Sequence, residues 1–164
     1  MTDPIIRVAD LAWGRIRSPD LDKQEEFLTR FGMVRSERTE KKLFMRGTGS
    51  SHHIHVTEKG DPGFISLAFR ARSEDDLRKL AAEADSASAV EDIDEPGGGK
   101  RVRLTEPNGY MIEVVHGVEE LAEIPVERQA YNFGNVDKYK RAGTLWRTPR
   151  GPATVMRIGH GVLG

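Results

Sequence analysis

One pattern of elements occurs twice along this chain. In the first pass a strand-like run over 11–17 is broken by Ser18, Pro19 and Asp20. Asp20 is placed to cap a helix carrying Leu21, Phe27, Leu28 and Phe31, which Gly32 ends. Three short extended stretches follow, over 33–38, 43–46 and 52–57, separated by charged or Gly/Ser punctuation. In the second pass Ile65, Leu67 and Phe69 alternate with Ser66, Ala68 and Arg70 across a strand at 64–71, as one buried strand face requires. Ser73 then caps a helix whose Leu77, Leu80, Ala81 and Ala84 recur at three-to-four spacing, with Glu74, Asp75 and Asp76 at its positive end. Strands are expected again at 90–93, 101–105 and 111–115, joined by turns at Pro96 to Gly99 and Pro107 to Gly109. A repeating unit of this size buries its apolar face against its neighbour, so two βαβββ units are expected to form one α+β domain over 1–117. They span about 8–60 and 61–117, with antiparallel-rich mixed sheets curved around a shared cleft and the helices outside.

Composition is compatible with such a core. Of 164 residues 37% are hydrophobic and 31% charged, and 25 basic against 26 acidic side chains leave a net charge of −1. Disordered chains are poorer in apolar residues and usually far from neutral, so a globular fold is expected. Near-neutrality also removes the overall electrostatic footprint of a nucleic-acid binder. The chain has no cysteine, which excludes disulfides, thiolate metal sites and a cysteine nucleophile and suits a reducing, cytoplasmic compartment. No apolar run approaches the ~20 residues that span a bilayer, and Met1, Thr2, Asp3 and Pro4 do not open an export signal. Neither nucleic acid nor membrane is expected as a partner.

From 118 to 157 neither period persists, and Pro125, Pro149, Gly151 and Pro152 punctuate the stretch, which reads as a linker wrapped along a surface. Tyr131, Phe133, Tyr139 and Trp146, interleaved with basic residues, are expected to anchor it to the domain. At 158–164 a strand begins again. Laid over 11–17, it sets Ile158 on Leu11 and His160 on Trp13, like the first strand of a third unit cut short. An uncovered strand bearing Val162 and Leu163 is an association hazard, so a homo-oligomer, a dimer formed through this segment, is expected.

The paired units, the turn and strand Glu106-Pro107-Asn108-Gly109-Tyr110-Met111-Ile112-Glu113-Val114, and Ser18-Pro19-Asp20-Leu21 after the first strand together resemble the vicinal oxygen chelate superfamily. That superfamily includes glyoxalase I, bleomycin-resistance proteins and the type I extradiol ring-cleavage dioxygenases. With its linker and the opening Arg157-Ile158-Gly159-His160, the chain is most similar to the N-terminal domain of a two-domain extradiol dioxygenase. The resemblance implies a complete enzyme in which two histidines and a carboxylate hold Fe(II) on one face, leaving positions for a catechol-like aromatic substrate and O₂. It puts the ligand positions of this domain at Trp13, Ser66 and Glu113. An indole offers only an N–H donor and a hydroxyl is a weak ligand, so no cofactor is expected for this chain alone. His160 matches the first-strand histidine of the metal-bearing domain and would ligate iron only in a longer protein.

Two further sets of residues have rival roles. Strand alternation points His53 and His55 to one side and His52, Ile54 and Val56 to the other, which permits a two-histidine clip with Glu113 as third donor. The same histidines also serve as structural groups that make stability depend on pH. Glu113 is correspondingly either a ligand or a hydrogen-bonded core carboxylate. His116 reads as a strand-end surface residue, and Gly97-Gly98-Gly99-Lys100 as a hairpin turn, since it lacks the spacing and Ser/Thr of a phosphate loop. Three functions follow: the metal-free N-terminal domain of an Fe(II)-dependent extradiol dioxygenase, a metal-independent ligand-binding module of bleomycin-resistance type, or a glyoxalase-type metalloenzyme with a site between subunits.

Overall fold

Both expected units fold in the expected order of elements. The computed structural model describes residues 3–126 and 151–163. The first unit comprises β1 (Asp10–Ser18), α1 (Leu21–Phe31), β2 (Val34–Arg38), β3 (Lys42–Arg46) and β4 (His55–Lys59). The second comprises β5 (Gly63–Arg70), α2 (Glu74–Glu83), β6 (Glu91–Asp92), β7 (Lys100–Thr105) and β8 (Met111–His116). The strands form one mixed sheet in the order β2-β3-β4-β1-β5-β8-β7-β6, which reads as a unit and its repeat meeting at β1 and β5. Within each unit the first and last strands run parallel, β1 with β4 and β5 with β8, while β1 and β5 join the units antiparallel. Among the described residues no helix is long and apolar enough to cross a membrane.

Local chemistry fixes the helix ends. The Asp20 carboxylate accepts from the backbone N–H groups of Asp22 and Lys23, both at 3.0 Å, and so satisfies two of the four donors a helix start leaves unpaired. Ser73 and Asp76 form a reciprocal capping box at the start of α2. α1 stops at Gly32, whose φ of 112° is open to glycine at little cost and whose N–H reaches the carbonyls of Leu28 and Thr29.

The sheet packs on both faces. On the helix side Leu43 and Met45 of β3 meet Leu21 and Leu28 of α1, while Val102 and Val114 meet Leu77 and Leu80 of α2. On the opposite side Trp13, Phe44, Val56, Ala68 and Val115 cluster with Ile93 and Val118 from the segments that cover them. Burial of this kind stabilises by roughly 25 cal/mol per Å² of apolar area and is the main force joining the units. The expected apolar stripe of α1 is narrower than the sequence suggests. Phe27 and Phe31 remain exposed and stack on one another at a centroid distance of 6.3 Å, because only the Leu21/Leu28 side of the helix faces the sheet.

Three extended segments differ from expectation. The strand foreseen at 52–57 starts only at His55, and β6 shrinks to Glu91 and Asp92 because backbone turns close at Glu95–Gly98 and Ile93–Gly99. The strand foreseen at 158–164 does not form over 158–163. Instead the tail makes two backbone bonds earlier, Thr48 N–H to Val155 O (2.8 Å) and Gly49 N–H to Met156 O (3.2 Å), and the Arg157 guanidinium pairs with Asp10. A strand needs a partner along its length, and isolated bonds do not supply a ladder. Residues 118–126 are likewise tied down, with Leu121 N–H on Ser50 O and Ile124 N–H on Thr48 O, both at 2.8 Å. The buried Arg46 side chain holds the same region by donating to the carbonyls of Gly47, Gly49 and Ala122. The aromatic anchors expected at 131, 133, 139 and 146 lie outside the described residues.

Candidate functional site

The face of the sheet away from the helices divides into an apolar end and a charged end. Register decides what stands where. Across the central β1–β5 ladder Trp13 pairs with Ala68 and Arg15 with Ser66, so Trp13 and Arg15 lie on one face a ladder step apart. Ala68 in turn pairs with Glu113 on β8. The residue that meets Ser66 and Glu113 is therefore Arg15, while Trp13 belongs to the apolar end.

Arg15 is 3% exposed, and its guanidinium faces three carboxylates. One terminal nitrogen donates to Glu58 Oε1 at 2.8 Å and to Glu95 Oε1 at 3.0 Å. The other donates to Glu95 Oε2 at 2.7 Å, and Nε lies 3.3 Å from Glu113 Oε1, close enough for ion pairing without hydrogen-bond alignment. Lys42 reinforces Glu95 and Glu58 from the side. Glu113 also accepts from the Ser66 hydroxyl and from the Arg101 guanidinium, the latter at 3.1 Å. Burial opposes ionisation of Arg15, but Glu95 and Glu113 more than offset it and raise its pKa well above the usual arginine value. For Glu95 burial alone would raise the pKa, yet Arg15 and Lys42 lower it to about 2. The network lines a cavity of about 220 Å³ with Ile65, Arg103 and Met111. A second cavity, of about 420 Å³, opens beside it and is lined by residues including Thr39, Lys42, Phe44, Glu95 and Pro96.

The histidines are distributed otherwise. His53 is buried between Trp13, at a centroid distance of 4.5 Å, and Phe44, at 5.3 Å. Its Nδ1 lies 3.1 Å from His52 Nδ1. His55, by contrast, hydrogen-bonds Thr57 at 2.9 Å. Val56 and Glu58 point to the face of the sheet away from the helices, so the intervening His55 and Thr57 point to the helix side. The alternation expected from 52–57 fails because 52–54 precede the strand, and His53 and His55 fall on opposite faces of the sheet. The structure does not bring them together, nor either of them to Glu113. Burial lowers the pKa of His53 to about 3, with His52 and Arg15 adding repulsion, and burial lowers that of His55 to about 4. His52 is lowered in the same direction, again by burial first. His160 is exposed, and His116 ends β8.

These residues do not fit a divalent metal. At the three positions assigned by resemblance stand an indole whose Nε1 is buried without a partner among the described residues, a hydroxyl already donated to a carboxylate, and a carboxylate engaged by two guanidinium groups. Among the described residues no three histidine, cysteine or acidic side chains are disposed to hold a metal ion. Arg15, Glu58 and Glu95 were not singled out by sequence reasoning. The one available signal was a charged residue at the inward position of β1, two residues after Trp13.

Known proteins share this architecture. The chain is 28% identical over 131 residues to a metapyrocatechase of Geobacillus stearothermophilus, covering 77% of this chain and 40% of that relative. A Mn(II)-bound glyoxalase from Novosphingobium aromaticivorans superposes with a TM-score of 0.69 at 22% identity, over 74% of this chain and 43% of the other. An extradiol ring-cleaving dioxygenase from B. fuscum superposes with a TM-score of 0.67 at 23% identity, over 72% and 35%. The chain thus spans less than half the length of these relatives. The family model for the Glyoxalase/Bleomycin resistance protein/Dioxygenase superfamily matches residues 7–114, which takes in all ten elements except the end of β8, and the chain belongs to that superfamily.

Proposed function

We propose that this chain is the metal-free N-terminal domain of a two-domain extradiol dioxygenase-like oxidoreductase, whose Fe(II) and catechol-like substrate are held by a second domain that opens at residues 158–164. The observation that carries the reading is the Arg15 network: the cleft of these two units is filled by its own ion pairs where the resemblance calls for imidazole donors. Similarity to a metapyrocatechase over only 40% of that protein's length supports the same reading. In it, His160 opens the metal-bearing domain, and residues 118–157 are the linker between domains. The present domain contributes a rigid platform. The test is metal analysis and catechol turnover on this chain and on a longer protein that continues past residue 164. Stoichiometric iron and ring cleavage belong to the longer protein only, and either one in residues 1–164 alone rejects the proposal.

The cavity of about 420 Å³ favours a second reading, a metal-independent binding module, because it falls in the range of small-ligand sites and has Phe44 and Pro96 in its wall. Calorimetry with aromatic ligands in the presence of a chelator separates the two. Saturable binding to this chain alone supports the module.

A further inference from the structure

We propose that the Arg15 guanidinium is the resident cation of the cleft, and that Glu58, Glu95 and Glu113 form a seat shaped for a planar guanidinium and not for a metal ion. Each edge of the Arg15 group meets a carboxylate. Glu95 takes both terminal nitrogens with its two oxygens at 3.0 and 2.7 Å, Glu58 takes one of them at 2.8 Å, and Glu113 lies 3.3 Å from Nε. Two-pronged contact of this kind is what distinguishes guanidinium from a point charge. A metal would need its donor oxygens drawn in to about 2.0–2.2 Å around one centre. The three carboxylates instead surround a flat group, and among the described residues no acidic or histidine cluster has metal-holding geometry.

The seat is buried, so its occupant matters. Arg15 and Glu113 side chains are 4% and 2% exposed, and breaking a buried pair leaves the remaining charge uncompensated. Lys42 and Arg101 each reach one side of the seat, Lys42 towards Glu95 and Glu58 and Arg101 towards Glu113, and neither touches all three acids. Shortening Arg15 therefore leaves a binding site for a small alkylguanidinium. Arg15 occupies this seat whether or not the chain is a dioxygenase domain.

The test is chemical rescue of Arg15→Ala, followed by thermal unfolding and calorimetry. Ethylguanidinium chloride restores the atoms lost beyond Cβ, ethylammonium restores the ethyl stem and the charge without the planar fork, and MnCl₂ offers a divalent ion. The variant is expected to melt several degrees below wild type. Ethylguanidinium at millimolar, non-denaturing concentration raises its melting temperature saturably and leaves wild type unmoved, while ethylammonium and Mn²⁺ fail to rescue. Rescue by Mn²⁺ equal to that by ethylguanidinium overturns the proposal, as does no response to ethylguanidinium. Should the variant not fold unaided, refolding with and without ethylguanidinium gives the same two-way answer. Arg15→Lys, which keeps charge and loses the fork, is expected to melt below wild type; melting at the wild-type temperature overturns the proposal as well.

Discussion

Acidification should destabilise this domain through buried His53 and half-buried His55 from about pH 6.5 downwards. His53 is 2% exposed among Trp13 and Phe44, and its folded pKa is about 3 against an ordinary 6.5. The unfolded chain binds the proton first. The stability contributed by neutral His53 is therefore complete above pH 6.5 and lost progressively as pH falls towards 3. At about 1.36 kcal/mol per unit, two units below the ordinary value this amounts to about 2.7 kcal/mol at pH ~4.5. His55, with a folded pKa of about 4, adds a loss of about the same size there. Together they approach the lower end of total domain stability, about 5 kcal/mol. Glu95, whose folded pKa of about 2 lies below its ordinary 4.5, begins to cost stability only at lower pH. Urea denaturation at neutral pH and near pH 4.5, followed by tryptophan fluorescence, measures the loss. His53→Asn keeps a polar atom near the Nδ1 position for His52 and removes the titration, so about half of the pH dependence should vanish whatever the variant's absolute stability. Equal losses in wild type and variant would refute the reasoning.

Four further outcomes follow from the packing. Arg46→Met deletes three bonds from a buried cation to the carbonyls of Gly47, Gly49 and Ala122, and should cost about 3 kcal/mol in denaturant unfolding, with faster hydrogen exchange over 47–51. Leu77→Ala, at a fully buried position under α2, should cost about 2–5 kcal/mol by the same measurement. Gly32→Ala places a Cβ within 1.8 Å of the Ala153 carbonyl oxygen at a φ of +112°, and should both destabilise α1 and expose residues around 153 to limited proteolysis. Deleting 158–164 removes the exposed Val162, and if copies of the chain associate through that segment the deletion should convert a dimer to a monomer on size exclusion; an elution volume unchanged by the deletion counts against that association.

What could be read along the chain was whatever depends on neighbours in sequence. Asp20, Ser73 and Gly32 act within one helical turn, and the alternation around Ser66 is a property of a single strand, so the two units and their order were visible before any contact was known. Register was not visible. Irregularities between Leu11 and Trp13 and between Arg15 and Ile16 shift β1 against β5, and no local pattern announces them. The late start of β4 had the same effect on the histidines, separating His53 from His55 although their spacing permits a clip. Arg15, Glu58, Glu95 and Glu113 come from β1, β4, a turn and β8, so their meeting is a consequence of sheet order and of the turn after β6 that brings Glu95 over the sheet. Local sequence determined the duplicated elements because backbone caps, turns and periodicity are short-range. Tertiary structure decided that an arginine fills the cleft, because only pairing across strands distant in sequence puts one cation among three acids.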